Sequence, residues 1–114
     1  MSKDRRRFPR IHGPLAAQYR RSSGAGPWCE ARVINVSAGG LRFRCAEDPP
    51  DADAVVHVKV AVPESRESLT LSAQVAWSQL VASGVTEVGV EFQDIAAEDT
   101  ALVSRLMGFV ERPA

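Results

Sequence analysis

Long apolar runs are missing from this chain of 114 residues: none exceeds four residues, against the roughly 20 that a helical membrane span needs. Membrane insertion is therefore not expected. The basic N-terminus is not followed by an apolar h-region, so the expected compartment is the cytoplasm. Cysteine is scarce. Cys29 and Cys45 are the only two, with no C-x-x-C pair and no ligand spacing to His12 or His57, so neither a disulfide scaffold nor a metal centre is expected and both thiols read as reduced. No arrangement resembles a catalytic triad or a paired-carboxylate site, so neither an enzyme nor a resident cofactor is expected. Aromatics make up only 6% of the chain, and Phe8, Tyr19 and Trp28 are scattered. A stacking platform for single-stranded nucleic acid needs more than that, and nucleic acid is not the expected partner.

Net charge is also missing, at +0 overall, but the average conceals an asymmetry. Residues 1–21 hold seven basic groups, six of them arginine, against Asp4 alone, and so carry +6; residues 22–114 hold seven basic and thirteen acidic groups and carry −6. The arm and the body are oppositely charged. Arginine is the informative choice, because its planar fork grips phosphate bidentately and stacks on flat bases, whereas lysine supplies only a point charge.

What remains is mostly apolar alternation with period two, the pattern of half-buried strands. Six strands are expected: a short one at 15–19, then 28–36, 41–45, 55–62, 69–77 and 86–93. In the third, Leu41, Phe43 and Cys45 share one face, with Arg42 and Arg44 on the other. In the fifth, Leu69, Leu71, Ala73, Val75 and Trp77 share a face, and Val88, Val90 and Phe92 point inward from the sixth. Trp77 and Phe92 read as core, with Trp77 near enough to a strand end to border a ligand. After Asp94 the period changes: Leu102, Leu106, Phe109 and Val110 fall at helical spacing and Glu98 and Asp99 stand early, which predicts a helix over 96–110. The fold expected is a small six-stranded antiparallel β-barrel, all-β apart from a C-terminal α-helix, over residues 14–114, preceded by a flexible basic N-terminal arm over 1–13. With no output domain in view, any effect is expected to be exerted in trans.

Two short segments carry the recognition chemistry: Arg6-Arg7-Phe8-Pro9-Arg10 in the arm, and Asn35-Val36-Ser37-Ala38-Gly39-Gly40 at the turn between the second and third strands. The first supplies cationic forks, and on an extended chain Arg6 and Arg10 lie about 13 Å apart. Pro9 stiffens the segment between them by fixing φ. In the second, Asn35 offers donors and acceptors, and Ser37 can do either. Alternation sets Asn35 and Ser37 on one face, with Ile34 and Val36 on the other. Gly39 and Gly40 permit positive φ, and Gly40 permits close approach by a base. Taken singly, an arginine run is a solvated, polyanion-binding tail and Asn35 and Ser37 are turn-capping groups.

Jointly and in this order, the R-x-x-x-R and [DN]-x-S-x-x-G elements resemble the PilZ domain, a family that binds the bacterial second messenger cyclic di-GMP. Val75-Ala76-Trp77 and Gly89-Val90-Glu91-Phe92 fit the same resemblance, which spans roughly residues 5–110. It implies a non-enzymatic receptor that holds cyclic di-GMP through Arg6, Arg10, Asn35, Ser37 and Gly40, with Arg5, Arg7, Gly39, Arg42 and Trp77 as secondary candidates. It also implies that Arg5, preceding the first motif arginine, bears on how many ligand molecules are held. The chemistry is consistent with this, since guanine presents O6 and N7 as a paired acceptor edge that matches one guanidinium. Binding would order the arm across the barrel and present a surface to an unidentified downstream protein. The alternative is a PilZ-like protein-interaction module that works without ligand, its arm binding an acidic partner. Single-stranded RNA or DNA ranks third.

Overall fold

The computed structural model describes residues 15–21, 26–46 and 50–110, the side chain of Val110 excepted. The arm, with Arg5, Arg6, Arg7, Arg10 and His12, lies outside the described residues. Strands β1 (Leu15–Arg21), β2 (Cys29–Ser37), β3 (Gly40–Cys45), β4 (Val55–Ala61), β5 (Ser68–Ala82) and β6 (Val85–Phe92) precede helix α1 (Ala97–Val110). The strands close into an antiparallel barrel in the order β1-β2-β3-β6-β5-β4, with β4 returning to β1. Closure gives each strand a main-chain partner on both sides, which removes exposed edges over the body of the barrel.

Period-two alternation decides which side chains fill the interior. Val56, Val58, Val60 and Val62, together with Leu69, Leu71, Ala73 and Val75, are buried, while His57, Lys59, Thr70 and Ser72 alternate outward. Phe43 is fully buried, its ring 4.9 Å from that of Tyr19. Valine dominates this core because a β-branched side chain already restricted at χ1 packs well on a pleated surface. Helix α1 packs against β2 and adds Val103 and Leu106 to the same core, with Leu102 and Phe109 half-buried beside them.

Three expectations need correction. Strand β5 does not end at Trp77 but continues to Ala82, pairing with β6 as far as Ala82 opposite Val85. Trp77 does not share the face of Val75: the register shifts between them, Ala76 is the extra residue, and Trp77 turns outward with 39% of its surface exposed. An equivalent shift between Val33 and Asn35 makes Ile34 the extra residue, so Ile34 leaves the core and Val33 and Val36 fill it instead. Each is a β-bulge, in which one additional residue reverses the inward-outward phase of all that follows.

Candidate functional site

The two bulges build the site. Without them Asn35 would share the inward phase of Val33, and Trp77 that of Val75; with them both face outward. The register then lines up residues from four adjacent strands. Asn35 on β2 lies opposite Arg42 on β3, Arg42 opposite Gly89 on β6, and Gly89 opposite Trp77 on β5. A second row runs parallel to it: Ser37, Gly40, Glu91 and Gln74. At about 4.8 Å between strands, each row spans roughly 14 Å.

Between the rows is an outer-face pocket of about 610 Å³, whose lining includes Asn35, Ser37, Gly40, Arg42, Trp77 and Gly89. That volume lies within the range of small-molecule sites, about 300–1,000 Å³. Every barrel-side candidate from the sequence, the secondary Gly39 included, is brought to this pocket. The arm candidates Arg5, Arg6, Arg7 and Arg10 lie outside the described residues.

Gly40 and Gly89 work through space rather than backbone freedom. Neither Gly39 nor Gly40 adopts a positive φ, so the turn does not use the conformational licence expected of them. Gly40 is buried, and a Cβ on it would overlap the carbonyl of Val90. The close approach expected of a base is thus made by the backbone of β6. Gly89, which sequence reasoning missed as a site residue, is buried beneath Trp77, whose indole occupies the space where a Cβ would project. The one available signal was a glycine between two inward valines in a strand, since a strand glycine often marks close approach by another group.

Polar contacts hold the rest in position. The Ser37 hydroxyl donates to the Gly40 carbonyl at 3.3 Å, and the Phe92 amide donates to the Gly39 carbonyl at 2.9 Å, tying the β2-β3 turn to β6. Arg42, on the outward face of β3, is paired rather than simply solvated. Its Nη1 donates to Oε2 of Glu87 at 2.9 Å, while Arg44 Nε donates to Oε1 of the same carboxylate at 3.2 Å. Glu87 is 6% exposed and is the only buried charged residue among the described residues. Two arginines compensate its charge, and both keep about half of their side-chain surface in solvent. Arg42 is therefore held by Glu87 and at the same time lines the pocket.

The PilZ domain profile matches residues 4–109. This chain belongs to the PilZ domain family. Solved PilZ structures share its architecture: the PilZ domain of YcgR from Escherichia coli, determined with c-di-GMP, superposes with a TM-score of 0.69 at 15% identity, covering 96% of this chain and 93% of that one. The PilZ domain of CeSA from a cellulose-synthesizing bacterium gives 0.63 at 14% identity, covering 90% and 97%. The inhibitor of motility MotI/DgrA from Bacillus subtilis gives 0.67 at 16% identity over 90% of this chain, which spans only 50% of that protein. The TM-scores show a shared fold at low sequence identity. No curated protein sequence matches the chain significantly.

Proposed function

We propose that this PilZ domain is a receptor for cyclic di-GMP, holding the ligand between its N-terminal arginines and the outer-face pocket. The observation that carries the reading is the pair of parallel rows, which gathers Asn35, Ser37, Gly40, Arg42, Gly89 and Trp77 from four strands into one pocket. Membership of the family and the YcgR domain solved with c-di-GMP support the choice of ligand.

Each group has a task that its chemistry suits. Asn35 and Ser37 meet the ligand's polar edges. Gly40 admits the Val90 backbone and Gly89 seats the Trp77 indole, and together they shape the pocket. Trp77 offers an exposed aromatic edge there, and Arg42 offers a fork already held in position to a phosphate or to the O6/N7 edge of guanine. Arg6 and Arg10 complete the site from the arm, with Arg5 and Arg7 adding charge around it. The ligand bridges arm and barrel and so creates the surface that a downstream protein reads. The proposed chemistry is recognition without turnover, in keeping with a Glu87 carboxylate that is committed to two arginines.

Titration calorimetry with cyclic di-GMP tests this, with GMP, cyclic di-AMP and a short RNA as controls. Selective, saturable heat from cyclic di-GMP is the expected result. Absence of heat from all four overturns the receptor reading in favour of a ligand-independent interaction module.

A further inference from the structure

Strand β5 runs beyond the barrel it helps to close. Its pairing with β4 ends at Gln74 opposite Val55, followed by two last backbone bonds, Asp53 N–H to the Val75 carbonyl at 2.9 Å and Val75 N–H to the Ala54 carbonyl at 2.8 Å. From residue 76 to Ala82 the strand has β6 on one side and, among the described residues, no main-chain neighbour on the other. All seven of these residues are exposed. The three exposed large hydrophobics of the described residues, Trp77, Leu80 and Val81, all lie on this extension.

An open strand edge is a template for another extended chain, and soluble proteins ordinarily blunt such edges with lysine, proline or other charged side chains. None of these is present. Residues 68–86 contain no charged group and no proline, and form the longest uncharged stretch of the sequence. A bulge at Val81, opposite the tip of the hairpin, is the one guarding device. It confines the regular edge to residues 77–80 without closing it.

We infer that this edge pairs antiparallel with the same edge of a second copy of the chain. Its chemistry favours a copy of itself over a charged partner, because an uncharged strand meets no like-charge repulsion from its twin and offers no ion pair to a foreign one. Antiparallel pairing about a two-fold axis near Gln79 satisfies both edges at once and closes the assembly at a dimer. It also brings the exposed Leu80 and Val81 of each copy into the contact. The regular edge is short, so the interface belongs to the small, transient class, with Kd between about 10 µM and 1 mM. The inference does not depend on what the outer-face pocket binds.

Sedimentation velocity of the full chain over that concentration range tests it, beside the variants Leu80→Lys and Val81→Lys, with far-UV circular dichroism to verify that each remains folded. Both positions are solvent-exposed and outside the core, so each variant should fold. The wild type is expected to pass from monomer to dimer as concentration rises, and both variants to remain monomeric. Hydrogen exchange should slow at residues 77–81 of the wild type at high concentration. A wild type that stays monomeric throughout, or a dimer that survives both substitutions, overturns the inference. So does association beyond the dimer, which a closed two-fold contact does not allow.

Discussion

The indole of Trp77 lies over Gly89, in the space that any side chain at residue 89 would need. Gly89→Ala must therefore displace the ring, and an exposed ring at a pocket wall can move. We expect the variant to remain folded while losing about tenfold or more in affinity for cyclic di-GMP, an amount equal to about 1.4 kcal/mol. Tryptophan fluorescence should report the altered environment of Trp77. Unchanged fluorescence and affinity would show that the packing contributes nothing to the site.

Gly40 provides the contrast, because its neighbour is the Val90 carbonyl, which is backbone paired into the barrel. Gly40→Ala cannot be relieved by a rotamer change. Forced overpacking of this kind costs about 1–3 kcal/mol, so the prediction is a clear fall in the urea midpoint, accompanied by loss of binding. A variant as stable as the wild type would contradict the close approach of β3 to β6.

Glu87 separates two roles that Arg42 could fill. Arg42→Ala removes a fork from the pocket and should weaken ligand binding by about 1.5–3 kcal/mol, the contribution of a charged hydrogen bond. Glu87→Gln leaves Arg42 in place but releases its orientation and leaves two neighbouring arginines uncompensated. It should lower both stability and affinity, and calorimetry combined with urea unfolding reads the two effects separately. Full affinity in Arg42→Ala would remove this arginine from the site.

Ser37→Ala deletes the hydroxyl that donates to the Gly40 carbonyl. Such a hydrogen bond contributes about 1 kcal/mol to stability, so a small change in melting is expected whatever the ligand does. Lower affinity beyond that is expected if the hydroxyl also meets the ligand. Arg10→Ala should weaken binding. Retention of full affinity by both variants would count against the assigned site.

Ligand-dependent protection from proteolysis tests the bridging of arm and barrel. Cleavage within residues 5–12 should slow at saturating cyclic di-GMP. Unchanged cleavage at saturation would mean that the ligand does not engage the arm.

Much of this was legible from residues alone because two kinds of local signal are strong. Alternation through Val56, Val58, Val60 and Val62, and through Leu41, Phe43 and Cys45, identified strands and their buried faces correctly, since pleating turns successive side chains to opposite sides. The change of period after Asp94 located α1 to within a residue of its start. Asn35 and Ser37 were read as sharing one face, and both line the outer pocket. Less legible were the partners that lie far apart in sequence: Glu87 behind Arg42 and Arg44, and Gly89 beneath Trp77, are neighbours only because of cross-strand register.

By itself, then, the sequence determined the number and order of the strands, the helix that follows them, and the contrast between a basic N-terminal segment and an acidic remainder. Only the tertiary structure decided where alternation breaks. Bulges at Ile34 and Ala76 turn Asn35 and Trp77 out of the barrel and onto the row they share with Arg42 and Gly89. A bulge has no local sequence signature here, because it arises from closing six strands with consistent register around one core. Its cost and its effect both belong to the closed barrel rather than to any single strand.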